Sequence, residues 1–187
     1  MPVLAPPRIK IATKKKRSNS PGEGKKPVIC VFDPVAVHAV IFDSALAGLR
    51  DRADVHWQAS FSHTSIENGG IDGKTDSDLI AAKKPTLLVS ELEIIPDGGC
   101  HFGMKLMQNL RLVKSLKSTP LVVISNINYF QEVLQAELYN SFTDLRVDAV
   151  FFWGNLERKP DDQLRLFNFV AKILGLKREP FRDIVLE

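Results

Sequence analysis

Five short runs of strand-forming residues, most of them continuously apolar, constrain the fold of this 187-residue chain more than any other feature. A run of four to eight apolar residues is typical of a β-strand that is buried on both faces. The five runs are Val28–Phe32, Val55–Ser60, Thr86–Ser90, Leu121–Ile124 and Val147–Phe152. They predict the strands of one sheet at the centre of the protein.

Segments with helical spacing of apolar residues separate these runs, at about 36–50, 77–82, 104–116, 128–140 and 161–174. The stretch from Phe61 to Thr75 contains Asn68-Gly69-Gly70 and Asp72-Gly73, which predict a loop. Strands that alternate with helices favour a parallel sheet with helices on both faces. The sequence therefore predicts a doubly wound, five-stranded α/β domain, with the flavodoxin-like strand order 2-1-3-4-5 as the natural candidate.

Composition changes at residue 27 and again at residue 175, which divides the chain into three parts. Residues 1–26 are rich in Pro, Lys, Ser and Gly and have no hydrophobic period, so we predict a disordered tail. Residues 27–175 form the α/β domain, and Gly175 ends its last helix. Residues 176–187 form a C-terminal extension whose apolar residues favour docking.

The formal net charge of +3 conceals a basic tail and a mildly acidic body. Residues 1–27 carry eight basic residues and one acidic residue, which gives +7 and leaves −4 for the rest of the chain. The run Lys14, Lys15, Lys16 and Arg17 is a candidate contact for nucleic-acid phosphates or anionic lipid. No apolar run approaches the roughly 20 residues of a membrane span, and no secretory signal is evident, so we expect a cytoplasmic protein.

The candidate site follows from the fold, because ligands bind beyond the carboxyl ends of the strands in an open parallel sheet. Asp33 follows the first strand, Ser90-Glu91 end the third, Ser125-Asn126 end the fourth, and Trp153-Gly154-Asn155 follow the fifth. Two interpretations of Glu91 stay open at this point. It is either an acid with a chemical role or the polar end of a strand in contact with water.

The chain resembles the receiver domains of bacterial response regulators over residues 27–175. The stretch VSELEIIPDGG is similar to the family's V-S-D-L-x-M-P loop, and it places Glu91 at the aspartate that accepts phosphate. Gly103 and the following helix resemble the segment after that loop, although several residues are inserted before it. LVVIS, residues 121–125, resembles the fourth strand with Ser125 at the switch Ser/Thr, and VICVFDP resembles the first strand.

The departures from the family's pattern imply a pseudo-receiver, in which the fold is kept and the phosphorylation chemistry is lost. A receiver binds Mg²⁺ through two adjacent acids and the acceptor aspartate, but Phe32 here stands in one acidic position beside Asp33. Glu91 is one methylene longer than aspartate. The Lys-Pro pair expected after the fifth strand is replaced by Phe152-Trp153, which cannot neutralise a phosphoryl group.

The resemblance also implies where the working surfaces lie. We expect a pocket around Glu91, formed by Asp33, Ser90, Ser125, Asn126 and Trp153, with neither a metal nor a cofactor. In receivers the face made by the fourth helix, fifth strand and fifth helix commonly carries partner contacts, which here maps to Tyr129, Phe130, Val150, Phe152 and Trp153. The predicted function is a non-enzymatic signalling or scaffolding module that binds a protein partner independently of phosphorylation, as a monomer or a homodimer.

Three alternatives remain at this stage. The first is a nucleic-acid-associated transcriptional regulator whose basic tail contacts phosphates. The second is a hydrolase on the same sheet, which needs a base beside Ser90 or Ser125, and we predict that none of the four histidines (His38, His56, His63 and His101) lies there. The third is a Zn²⁺ site from His63, Cys100 and His101, whose spacing matches no zinc motif.

Overall fold

The computed structural model describes residues 25–73, 77–94, 101–126 and 142–176. Five parallel strands form one sheet in the order β2-β1-β3-β4-β5, which confirms the predicted flavodoxin-like topology. The strands are β1 Val28–Phe32, β2 Asp54–Gln58, β3 Leu87–Ser90, β4 Leu121–Ser125 and β5 Ala149–Phe152.

The strand register brings the carboxyl ends of the strands to one edge of the sheet. Phe32 at the end of β1 is level with both Gln58 of β2 and Ser90 of β3. Ser125 at the end of β4 is level with Phe152 of β5. The residues that follow β1, β3, β4 and β5 therefore emerge side by side, as the sequence predicted.

Helices cover both faces of the sheet because the central strands are apolar on both sides. Cys30 and Phe32 of β1 pack on one face in a cluster with Leu106 and Leu110. Ile29 and Val31 point to the other face. The α-helices among the described residues are α1 Ala36–Ala45, α2 His63–Glu67, α3 Ser77–Ala82, α4 His101–Leu112, α5 Trp153–Arg158 and α6 Pro160–Ile173.

One prediction about local structure is wrong. The region from Phe61 to Thr75 is not only a loop, because the hydroxyl of Ser62 accepts a hydrogen bond from the Ser65 N–H and caps the short helix α2. One helix was not predicted: the chain after β5 turns directly into α5 at Trp153. Lys159 interrupts the helix with extended backbone, since the residue before a proline avoids helical geometry, and α6 then begins at Pro160.

Several predictions lie outside the described residues. They are the disordered tail with its basic run, the helix at 128–140, and docking of the segment after residue 176. Leu176 itself packs against the cluster that contains Ile29 and Val31. Within the described ranges no helix has both the length and the apolar character needed to cross a membrane.

Gly103 fixes the distance between α4 and the segment that follows β3. A Cβ atom on Gly103 would lie 2.2 Å from the carbonyl oxygen of Leu92 and 2.6 Å from its Cα atom. Both are backbone atoms, so the segment that carries Glu91 and Leu92 would have to move. A glycine is therefore required where α4 crosses the end of β3.

We predict that Gly103→Ala lowers the free energy of unfolding by about 1–3 kcal/mol, because overpacking displaces backbone and outweighs the better helix propensity of alanine. Urea unfolding followed by circular dichroism measures the change. Gly154→Ala in α5 is the matched control, since a Cβ there meets nothing within 4 Å. Equal stability of the two variants would contradict the close approach.

Candidate functional site: a buried carboxylate pocket

Three buried titratable side chains meet at the carboxyl edge of the sheet. Asp33 follows β1, Glu91 follows β3, and His38 comes from α1. They are 0%, 2% and 6% exposed, respectively. One ligand atom from each lies within 4.8 Å of the others. We call these three residues, together with Ser125 and Trp153, the carboxylate pocket.

Asp33 organises the start of α1 and thereby places His38. Its Oδ1 accepts a hydrogen bond of 2.7 Å from the Val35 N–H, a turn that leads into α1 at Ala36. Its Oδ2 lies 2.8 Å from His38 Nδ1. The backbone of Asp33 is fixed as well, because its carbonyl accepts 2.8 Å from the Trp57 indole N–H. One aspartate therefore links β1, β2 and α1.

Glu91 accepts hydrogen bonds on both carboxylate oxygens. Oε1 accepts from the Ser125 hydroxyl at 2.5 Å, the Leu92 N–H at 2.7 Å and the Glu93 N–H at 3.3 Å. Oε2 accepts from the Trp153 indole N–H at 2.8 Å. Four donors thus surround one buried carboxyl group, and they come from the loop after β3, from β4 and from α5.

The rings of His38 and Trp153 close the pocket. Their centroids are 4.2 Å apart and their planes differ by 17°, so the rings stack. His38 Nδ1 faces two acceptors, Asp33 Oδ2 at 2.8 Å and Glu91 Oε2 at 4.0 Å. A nitrogen between acceptors is placed to donate, so we assign a hydrogen to Nδ1.

Burial raises the pKa of Glu91 above its ordinary value, because removal from water destabilises the charged form. The hydrogen bonds from Ser125 and from the Leu92 N–H act in the opposite direction and stabilise the charge. The nearby Asp33 raises the pKa further. The hydrogen-bond donors around the carboxyl group therefore offset part of the free-energy cost of burying its charged form.

The structure brings most of the predicted pocket together. Ser90 is buried and donates its hydroxyl hydrogen to the carbonyl of Glu91 at 3.0 Å rather than to the carboxylate. Asn126 follows β4 and is half-buried. Trp153 is 2% exposed, which corrects its predicted role in partner contact, because it offers almost no surface.

Only some of the predicted partner-binding residues lie in the part of the chain that the structure describes. Val150 and Phe152 are half-buried and line an open cavity of about 390 Å³ together with Phe151 and Phe169. Asn155, Asp162 and Arg165 also line it. Tyr129 and Phe130 lie outside the described residues.

His38 is a residue of the carboxylate pocket that the sequence did not predict. Its signal was its position on the buried face of α1, where His38, Phe42 and Ala45 recur at spacings of four and three. A histidine in an apolar stripe needs a polar partner when it is buried. The acid five residues before it, Asp33, provides that partner.

The residues named in the hydrolase and zinc alternatives have the following partners where the structure describes them. The Ser125 and Ser90 hydroxyl hydrogens are directed to Glu91 and not to His38, although His38 does lie in the pocket. His63 stacks on Phe102 with the ring centroids 4.4 Å apart. His101 Nε2 lies 3.1 Å from Glu67 Oε1, and Cys100 is outside the described residues.

The pocket does not fit the Mg²⁺ ion that the resemblance to receivers implies. Mg²⁺ takes oxygen ligands at about 2.0–2.1 Å in octahedral geometry and usually keeps several waters. The oxygens of Glu91 already accept four hydrogen bonds, and an imidazole N–H faces Asp33. All three candidate ligands are at most 6% exposed, whereas a bound Mg²⁺ usually keeps several waters.

We predict that Trp153→Phe and Ser125→Ala each lower the free energy of unfolding by about 1.5–3 kcal/mol, because each removes a donor to a buried charged group. Both changes also raise the pKa of Glu91 further. Urea unfolding and carboxyl ¹³C NMR measure the two effects. Trp57→Phe is the control, since its indole binds the neutral Asp33 carbonyl and its loss leaves the Glu91 pKa in place.

Because the pKa of Glu91 is raised in the folded state, the folded protein binds more protons than the unfolded chain at intermediate pH. The stability that protonated Glu91 contributes to the folded state is fully present below the pKa of glutamate in the unfolded chain, roughly 4.3. It is lost as pH rises through the pKa of Glu91 in the folded protein. We therefore predict that wild type loses stability relative to Glu91→Gln over this window, measured by urea unfolding at successive pH values. A relative gain as pH rises would contradict the raised pKa.

The sequence matches no protein-family model and no curated protein. Similar solved structures are response-regulator receivers. The phosphorylated cyanobacterial phytochrome response regulator RcpA is 14% identical, with a TM-score of 0.54 over 81% of this chain and 95% of that chain. The Mn²⁺-bound form of response regulator Rcp1 is 12% identical, with a TM-score of 0.54 over 83% of this chain and 99% of that chain.

A third similar structure is the signal receiver domain of an HD-domain-containing protein from Pseudomonas fluorescens Pf-5. It is 14% identical, with a TM-score of 0.55 over 84% of this chain and 93% of that chain. In all three the match extends over nearly the whole length of the receiver. The chain therefore has the fold of a response-regulator receiver domain.

Proposed function

We propose that this protein is a non-enzymatic signalling or scaffolding module, a pseudo-receiver that binds a protein partner independently of aspartyl phosphorylation. The observation that supports this function best is the state of Glu91. Its carboxylate is buried and accepts four hydrogen bonds at the position where the fold would present a phosphate acceptor.

Phosphoryl transfer to Glu91 would require a free carboxylate oxygen with access to a phosphodonor. Oε1 accepts hydrogen bonds from the Ser125 hydroxyl and two backbone N–H groups. Oε2 accepts one from the indole N–H of Trp153, whose ring stacks on that of His38. Catalysis of phosphoryl transfer also depends on cationic groups that neutralise charge on the phosphoryl oxygens. Phe32 and Phe152 stand where the resemblance places an acid for the metal and a lysine.

The same contacts hold the adjoining surface in one conformation. Ser125 ends β4, and its 2.5 Å bond to Glu91 joins β4 to the segment after β3. Trp153 begins α5 next to β5, and its bond to Glu91 fixes the start of that helix. In this proposal the Glu91 carboxylate, which is one methylene longer than aspartate, partly imitates the charge of the phosphorylated state.

The surface beside β5 suits a partner with an apolar side chain. Its cavity is lined by Val150, Phe151, Phe152 and Phe169, with the charged side chains of Asp162 and Arg165 among the lining residues. Aromatic and apolar residues together with polar ones are usual in protein interfaces. A receiver-type fold with this surface is suited to binding a protein partner, a function that requires no catalysis.

A second candidate function rests on the division of charge. The tail holds +7 and the remainder −4, so the run Lys14–Arg17 could supply affinity for nucleic-acid phosphates. In this alternative the protein is a nucleic-acid-associated transcriptional regulator. Deletion of residues 1–26 would then abolish duplex binding and its salt dependence.

We predict that incubation with acetyl phosphate and Mg²⁺ adds no phosphoryl group, about 80 Da, to the intact mass. The same treated and untreated samples, used as bait in affinity capture, should retain the same proteins. Glu91→Ala treated in parallel identifies the residue if an adduct does form. An adduct on wild type that is absent from Glu91→Ala would overturn the proposal.

The binding surface is tested with two exposed arginines that each pair with an aspartate. Arg165 lies 3.3 Å from Asp162 beside the β5 cavity, and Arg50 lies 3.1 Å from Asp43 at the end of α1. Arg165→Glu should remove the captured partner, whereas Arg50→Glu should retain it. Retention by both variants would exclude the β5 surface as the binding site.

A further inference from the structure

The pocket contains two buried acids that a divalent cation would be expected to join, yet a histidine ring stands between them. We propose that the side chain of His38 occupies the cation position of this pocket and excludes divalent cations from it. The inference deepens the proposed function, and rests on it, because a receiver without its metal cannot accept a phosphoryl group by the family's route.

The positions of three atoms carry the inference. His38 Nδ1 is 2.8 Å from Asp33 Oδ2 and 4.0 Å from Glu91 Oε2, so it faces both carboxylates at once. A cation that contacted both oxygens would also meet the hydrogen on Nδ1. Removal of His38 would therefore be needed before the two acids could bind one ion.

His38 is the hydrogen-bond donor to Asp33 Oδ2, because the neighbouring donors bind other oxygens. Ser125 and Trp153, from β4 and α5, both donate to Glu91, while the Val35 N–H donates to Asp33 Oδ1. Of the charged or titratable side chains described around the ring, Asp33 after β1 and Glu91 after β3 are the two that face it. A buried acid requires such a partner, since burial without one is costly.

The ring of His38 also fills space beside the two acids. His38 is 6% exposed and stacks on Trp153, which is itself buried. Mg²⁺ and similar hard cations keep several waters, each of which fills about 30 Å³. Truncation of the imidazole would open space next to Asp33 Oδ2 and Glu91 Oε2, which are then two oxygen ligands for a hydrated cation.

The test titrates Mn²⁺ alone into the full chain and measures free Mn²⁺ by electron paramagnetic resonance. Wild type should show no site in this pocket, whereas His38→Ala and His38→Ser should bind Mn²⁺ at least about tenfold more tightly than wild type. The serine variant keeps a small donor for Asp33 if the alanine variant is too unstable to fold. His63→Ala, which removes an exposed histidine, is the control and should bind as wild type does.

Each outcome decides the proposal. Tighter binding by the His38 variants supports it. Binding by wild type that is lost in those variants would make His38 a metal ligand, and equal lack of binding would show that His38 is not what excludes the cation. Either result overturns the proposal, yet both leave the proposed function standing unless acetyl phosphate also modifies Glu91.

Discussion

The buried carboxylate of Glu91 and its four donors are the interaction on which the rest of this site depends. A charge removed from water is costly unless hydrogen bonds replace its hydration. Here Ser125, Trp153 and two backbone N–H groups provide them, and they come from three separate parts of the fold. The group that raises the cost of folding is therefore also the one that fixes these parts relative to one another.

Asp33 and His38 extend this arrangement to the first helix. The aspartate starts α1 through its bond to the Val35 N–H and holds His38 through its other oxygen. The imidazole then stacks on Trp153, which donates to Glu91. The helices α1 and α5 and the segment after β3 thus meet in one set of contacts. Several of these contacts would have to break before the pocket could admit a cation or a phosphodonor.

The fold could be predicted from the sequence because its determinants are local and periodic. The apolar runs predicted all five strands, and the alternation with helices predicted their parallel order. Asp33, Glu91 and Ser125 were predicted to lie together because the carboxyl ends of parallel strands share one edge. Their position follows from topology alone and does not need the side-chain contacts.

The rest of the site depends on tertiary packing that no short-range pattern encodes. His38 looks like any residue of an apolar helix face until α1 is placed against β1 and β3. Trp153 was expected partly on the surface. The turn into α5 carries its indole to Glu91, and this turn could not be predicted because the helix has no side-chain cap at its start. The helix α2 is capped by one hydroxyl, that of Ser62, inside a sequence rich in turn residues.

In the folded protein the carboxylate pocket is closed, and Glu91 is committed to its donors. Hydrogen exchange of the Trp153 indole N–H, followed by NMR, reports on this closure, because that hydrogen lies between the tryptophan and the carboxylate. We expect exchange only through global unfolding, at a rate that Mg²⁺ and acetyl phosphate leave unchanged. Exchange within minutes under native conditions, or a rate altered by either addition, would contradict the account.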